Sequence, residues 1–154
     1  MDVDYLGRVC EILFRLKKGQ GAVVIFFNTS VVTRAALDTI KRELGEIPYG
    51  IHRKTRDNKV VYEVDTWIAG KHVELNIFGD GKIRNRYEEV GLEALPDAVR
   101  RTIRDNLQDT KIEEIEKIIT EGTIVYQVEA ERGKKDITLK VAEDGKVISK
   151  DEDD

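Results

Sequence analysis

Apolar residues recur at helical spacing in two separate stretches of the chain. Leu37, Ile40 and Leu44 share one side of a predicted helix over residues 33–44, and Gly45 follows as a stop signal. A second helix is predicted to begin near Pro96, with a stripe formed by Val99, Ile103 and Leu107. Each stripe is narrow, which predicts that each helix buries one side against another element.

Alternation with period two follows each predicted helix and predicts antiparallel strands. One face of the first set consists of Val60, Tyr62, Val64, Val73, Leu75 and Ile77. The corresponding face of the second set consists of Ile124, Tyr126, Val128, Ile137, Leu139 and Val141. Turn residues separate the strands at Asp57-Asn58, Ala69-Gly70, Gly79-Asp80-Gly81, Gly122, Arg132-Gly133 and Asp144-Gly145. Each set therefore predicts four strands, the last of them short.

The two sets are similar in sequence. Adding 64 to each position carries the run Val60–Asp65 onto Ile124–Glu129, and it carries Asp80-Gly81-Lys82 onto Asp144-Gly145-Lys146. This repeat predicts domains at residues 32–90 and 91–154. The predicted fold class is α+β, with two tandem units of a helix plus a four-stranded antiparallel sheet, helices on one face, and an N-terminal extension.

Residues 1–31 lie outside the repeat. The stretch Tyr5–Lys18 predicts a helix, and Ala22–Phe27 predicts either a buried strand or a packed apolar segment. The only cysteine, Cys10, lies on the apolar side of the predicted helix, so a buried structural thiol is favoured over a nucleophile.

The second repeat resembles the PepSY-like family through Leu95-Pro96-Asp97-Ala98-Val99, Ile115-Glu116-Lys117, Val125–Glu129 and Asp144-Gly145-Lys146-Val147. The first repeat fits through Ile51–Lys54, Val61–Val64 and Asp80-Gly81-Lys82, although its helix lacks the Leu-Pro opening. The resemblance implies a fold like that of the beta-lactamase inhibitor protein, a bacterial extracytoplasmic setting, and a role in binding or inhibition. It implies no catalytic residues.

Composition limits the partners. The chain is 36% charged with a net charge of −4, which argues against a nucleic-acid partner, and no apolar run approaches the length of a membrane span. The first residues are acidic, whereas a signal peptide begins with basic ones. The sequence therefore leaves open a cytoplasmic protein and an exported one whose signal is missing from this chain.

No cofactor or metal site is predicted. His52 and His72 fall in different strands without further ligands, and a zinc site needs three or four. The Asp80 and Asp144 loops lack the spaced oxygen ligands of a calcium loop and predict either type I′ or bulged hairpin turns. Gly19-Gln20-Gly21 lacks the remaining residues of a phosphate loop.

One sheet face differs between the repeats. A hairpin turning at Ala69-Gly70 pairs Trp67 with His72, Asp65 with Glu74, Glu63 with Asn76 and Val61 with Phe78 on the face away from the apolar one. The second repeat pairs Glu131 with Asp136, Glu129 with Thr138, Gln127 with Lys140 and Val125 with Ala142 there. Aromatic residues on a polar sheet face are typical of interfaces. The predicted partner-binding residues are Val61, Asp65, Trp67, His72, Glu74 and Phe78.

The leading hypothesis is a non-enzymatic module that binds a protein or peptide on this face. A structural module that only self-associates, with its oligomeric state undetermined, is one alternative, and a small enzyme is another that no catalytic constellation supports. A further alternative is that the N-terminal segment covers the aromatic face.

Overall fold

The computed structural model describes residues 32–153, which form two helices, one 3₁₀ turn and eight strands. In chain order the elements are α1 (Arg34–Leu44), β1 (Tyr49–Arg56), β2 (Lys59–Ile68), β3 (Lys71–Phe78), β4 (Ile83–Glu89), the 3₁₀ turn (Leu92–Ala94), α2 (Asp97–Asn106), β5 (Lys111–Thr120), β6 (Thr123–Arg132), β7 (Lys135–Ala142) and β8 (Val147–Asp153). The predicted helix Tyr5–Lys18, the segment Ala22–Phe27 and Cys10 lie outside the described residues.

The prediction of two tandem units, each with a helix and its own four-stranded antiparallel sheet, is wrong. Strands β1 to β8 form a single antiparallel sheet in which they follow one another in chain order. Alternation of side chains specifies the two faces of a strand but not which strand lies beside it across a longer connection. A continued sheet also has fewer exposed edges than two separate sheets, and each exposed edge carries unpaired backbone groups.

The chain divides into two compact units, the first ending at Arg86 and the second beginning at Tyr87. The structure describes residues 32–86 of the first unit and 87–153 of the second. The predicted boundary between residues 90 and 91 stays a prediction, as does the repeat itself.

Helix α1 begins and ends where local chemistry predicts. Thr33 caps its start, with the Thr33 hydroxyl accepting a hydrogen bond from the Ala36 amide at 3.3 Å. Gly45 ends it with a φ of +63°, and its amide donates to the Lys41 carbonyl at 2.9 Å. The buried side of α1 contributes Ala36, Ile40 and Leu44 to a core with Tyr49, Ile51, Tyr62, Val64, Leu75 and Ile77.

Helix α2 forms the second core in the same manner. Pro96 stands immediately before its first residue, where a missing amide hydrogen costs nothing. Val99, Ile103 and Leu107 are buried, as their spacing predicts. They pack with Leu95, Ile115, Tyr126, Val128, Ala130, Ile137, Leu139 and Val141.

The hairpins adopt the predicted register. Ala69 and Gly70 have φ values of +50° and +77°, which suits a tight two-residue turn between β2 and β3. Trp67 consequently pairs with His72 and Val61 with Phe78. In the second unit, Glu131 pairs with Asp136, Glu129 with Thr138, Gln127 with Lys140 and Val125 with Ala142. All eight predicted cross-strand pairs are confirmed.

The turn between β3 and β4 contacts helix α1. Thr39 Oγ1 donates to the Gly81 carbonyl at 2.7 Å, and Gly81 has a φ of +87°. A Cβ on Gly81 would lie 2.6 Å from the Ala35 carbonyl oxygen. The Asp80 carboxylate accepts a hydrogen bond from the Lys82 amide at 2.9 Å, so it stabilises the turn. We call this contact between turn and helix the helix–turn clasp.

The second unit has the matching clasp. Thr102 Oγ1 donates to the Gly145 carbonyl at 2.6 Å, and a Cβ on Gly145 would lie 2.9 Å from the Ala98 carbonyl oxygen. Asp144 accepts from the Lys146 amide at 2.9 Å. These contacts involve sequence-equivalent residues and support the proposed repeat.

Candidate functional site

The candidate site lies on the first unit, on the side of β2 and β3 that points away from the α1 core. Tyr62 and Val64 point into that core, so alternation turns their neighbours in the strand to the other side. We call this surface the Trp67 face. Its β2 and β3 side chains are Val61, Glu63, Asp65, Trp67, His72, Glu74, Asn76 and Phe78.

Trp67 is the most accessible aromatic group of this face. Trp67 is 65% exposed to solvent. The Trp67 and His72 rings lie with centroids 5.0 Å apart and planes inclined by 48°. His72 Nε2 lies 3.0 Å from Asp65 Oδ1, which holds the imidazole in place beside the indole.

The opposite end of the face is closed. Val61 is fully buried and Asn76 nearly so. Phe78 is half-buried, and Lys59 Nζ lies 5.6 Å from the centre of its ring. Of the predicted partner-binding residues, Val61 therefore offers no surface to a partner, and Phe78 offers little. Trp67 is exposed, and His72, Asp65 and Glu74 are partly exposed beside it.

Three carboxylates lie along the middle of the face. Lys54 Nζ contacts both Glu63 carboxylate oxygens, at 2.5 and 2.6 Å. Asn76 donates to Glu74 at 2.5 Å, and Asp65 contacts His72. Burial raises the pKa of the Glu74 carboxyl above its usual value, and the neighbouring Glu63 and Asp65 carboxylates raise it further. The Asn76 hydrogen bond and the Lys54 ammonium oppose this rise in the pKa.

Gly50 completes the surface, and sequence reasoning missed it. It pairs with Asp65 across β1 and β2, so the two residues share a face. A Cβ placed on Gly50 would meet no other atom within 4 Å, which leaves open space beside Asp65. A glycine inside a strand often marks close approach by another molecule, and that signal was available in the sequence.

Other candidate chemistry does not assemble here. Among residues 32–153, no three His, Cys, Asp or Glu side chains come together as metal ligands. His52 is exposed and pairs with Glu63 across β1 and β2, whereas His72 lies on β3. None of the helices in this part of the chain has the length and apolar character of a membrane span.

Three solved structures have a similar fold. A candidate periplasmic protein of Bacteroides eggerthii matches with a TM-score of 0.67 and 12% identity, over 80% of this chain and 90% of that one. A BLIP-like protein of Bacteroides fragilis matches with a TM-score of 0.62 and 18% identity, over 78% and 85%. A DUF2874 family protein of Bacteroides uniformis matches with a TM-score of 0.65 and 10% identity, over 77% and 88%.

The chain thus has a BLIP-like fold, which confirms that part of the family resemblance. No family model matches the chain, and no curated protein matches it. Membership of the PepSY-like family stays a prediction. Sequence identities of 10–18% show the fold alone, and the Trp67 face is the feature of this chain that bears on its function.

Proposed function

We propose that the protein is a non-enzymatic binding module that holds a protein or peptide partner on the open end of the Trp67 face. The observation that carries the proposal is the 65% exposure of Trp67 on a paired hairpin. A large aromatic side chain kept in water has no packing role, whereas buried tryptophans at interfaces contribute much of the binding free energy.

The placement of Trp67 favours binding because neighbouring side chains restrict the motion of its indole ring before a partner binds. The His72 imidazole contacts the indole, and Asp65 fixes that imidazole, so little side-chain freedom is lost when a partner arrives. Carboxylates lie next to the ring, which is the combination of apolar anchor and polar surroundings that interfaces have.

The same geometry argues against an enzyme. Asp65 and Glu74 lie on a sheet surface beside the exposed Trp67, whereas acid–base catalysis depends on a cleft from which water is excluded. The BLIP-like and candidate periplasmic neighbours support a binding role and an extracytoplasmic setting for this chain.

Panning of an unbiased displayed peptide library on the full chain tests the proposal. Selected peptides are then measured against Trp67→Ala and against Glu131→Ala, which alters the sequence-equivalent position in β6. We expect Trp67→Ala to weaken binding by at least about tenfold and Glu131→Ala to leave it unchanged. If no selected peptide depends on Trp67, or if Trp67→Ala instead converts an oligomer to a monomer, the proposal fails.

A further inference from the structure

A row of three residues crosses the open end of the Trp67 face. Gly50 on β1 pairs with Asp65 on β2, and Asp65 pairs with Glu74 on β3. Cross-strand pairs lie side by side on one face, so the space above Gly50 opens directly onto Asp65, with Glu74 next to it. Trp67 lies two residues after Asp65 on the same face of β2, so the indole belongs to the same surface as this space.

The charges around this space are unbalanced. Glu63, Asp65 and Glu74 bring three carboxylates, and Lys54 supplies one ammonium group, which contacts Glu63. His52 and His72 are the titratable groups nearest to the row on β1 and β3, and His72 contacts Asp65. The row therefore offers negative charge beside an exposed aromatic ring. A cation complements both features, since it pairs with carboxylates and stacks on an indole.

We infer that the partner inserts an arginine side chain into the space above Gly50, where its guanidinium group pairs with Asp65 and Glu74 and lies against the Trp67 ring. The inference rests on the proposed function and names the chemistry of the partner. Arginine fits because its planar group pairs with two carboxylate oxygens and also stacks on an aromatic ring. An acidic partner would add negative charge beside Asp65 and Glu74, and a purely apolar partner would bring no opposite charge to them.

The environment of the Glu74 carboxyl in the protein without a partner supports the assignment of arginine. Burial and two neighbouring carboxylates make its negative charge unfavourable, which is seen in the raised pKa of this carboxyl. An incoming cation would add to the effects of Asn76 and Lys54, which already favour the charged form of Glu74, and would reduce the penalty further. Binding surfaces often keep groups that destabilise the free protein, because the same groups strengthen binding to a partner.

Two blocked peptides test the inference on the full chain. The probes are acetyl-Ala-Ala-Arg-Ala-Ala-amide and the same peptide with citrulline, which has the shape of arginine without its charge. Trp67 is the only tryptophan of the chain, so its fluorescence reports binding at this face directly. We expect the arginine peptide to bind at least about tenfold more tightly than the citrulline peptide, with affinity falling as salt is added.

Substitutions at and away from the proposed site test where the arginine side chain binds. Gly50→Val fills the space with a side chain that strands favour, so we expect retained stability and at least about tenfold weaker binding. Gly50→Ala adds a single methyl group and serves as the matched control, with a smaller effect. Glu74→Gln removes one charge and should reduce the advantage of arginine over citrulline, whereas Glu129→Gln, at the Asp65-equivalent position of β6, should not.

Failure of the inference differs from failure of the proposed function. If panned peptides depend on Trp67 but the citrulline probe binds as well as the arginine probe, the face binds a partner and the arginine assignment is wrong. The assignment also falls if Gly50→Val leaves arginine binding intact, or if the arginine probe leaves Trp67 fluorescence unchanged. Loss of Trp67 dependence among panned peptides overturns both.

Discussion

Trp67 and Tyr62 lie on opposite faces of the same strand and differ in how much of each residue is exposed to solvent. Both lie on β2, and Tyr62 is 2% exposed whereas Trp67 is 65% exposed. The inward tyrosine contributes to the core through burial, and the outward tryptophan contributes little to folding. Single substitutions in this strand can therefore test stability and the proposed binding separately.

Trp67→Ala is expected to change the free energy of unfolding by less than about 1 kcal/mol, because the indole buries little surface. Tyr62→Ala is the matched control and should cost about 3–5 kcal/mol, since it leaves a cavity in the core. Urea denaturation followed by circular dichroism measures both. A large loss for Trp67→Ala would mean that the tryptophan is a packing residue, and the binding proposal would lose its basis.

Glu74→Gln is expected to raise the melting temperature at pH 7. Because the folded-state pKa of Glu74 lies above its ordinary value of 4.5, ionisation costs stability as the pH rises through the raised pKa. Below 4.5 the carboxyl is protonated in folded and unfolded chains alike, so the advantage of glutamine should disappear there. Thermal melts of both proteins at pH 7 and at a pH well below 4.5 measure this difference. A gain of equal size at both pH values would show that charge is not its cause.

At the scale of elements, the helix–turn clasp ties each helix to a hairpin of its own unit. Gly81 and Gly145 both have positive φ values, and a carbonyl oxygen of the helix lies against each. A side chain at either position meets two obstacles, the backbone conformation and the helix carbonyl. Turns elsewhere in the sheet meet only the first.

Gly81→Ala and Gly145→Ala should each cost more than about 2 kcal/mol, through a strained φ combined with the close helix carbonyl. Gly70→Ala provides the control, because Gly70 has a positive φ of +77° but a Cβ there has no neighbour within 4 Å. We expect about 1–2 kcal/mol for this change. The difference in urea midpoints isolates the contribution of the clasp. Equal costs for Gly70→Ala and Gly81→Ala would show that the clasp contributes nothing.

Strand pairing within hairpins was predictable because two local signals agree. The turn at Ala69-Gly70 sets the register, and the alternation of Tyr62 and Val64 sets which face is buried. Gly50 was missed since its importance comes from its position across from Asp65, on a strand whose register had not been predicted. The burial of Val61 was missed for a similar reason, because alternation predicts the direction of a side chain but not what lies above it.

At the scale of the whole molecule, the error of two separate sheets has a physical cause. Sequence periodicity predicts the strands of each hairpin. It does not predict which strands pair when a longer connection lies between them. The two helices and the four strands that follow each of them in the chain could be predicted from local sequence patterns. The continuity of the sheet depends on edge pairing, which is a property of the assembled chain.

We expect the protein to unfold in a single cooperative transition. The described parts of the units comprise residues 32–86 and 87–153, a size at which burial supports folding only marginally. Differential scanning calorimetry should give one peak whose calorimetric and van't Hoff enthalpies agree. Two resolved peaks would show that each unit is stable without the other.

The chain order of the strands has a consequence for how the protein is made. Every strand from β1 to β8 has as its neighbour in the sheet the strand that was synthesised immediately before or after it. Contacts between residues near in sequence form quickly, because little loop entropy is lost in closing them. A chain of this topology can grow its sheet from one end while the other end is still emerging from the ribosome, without waiting for a distant segment.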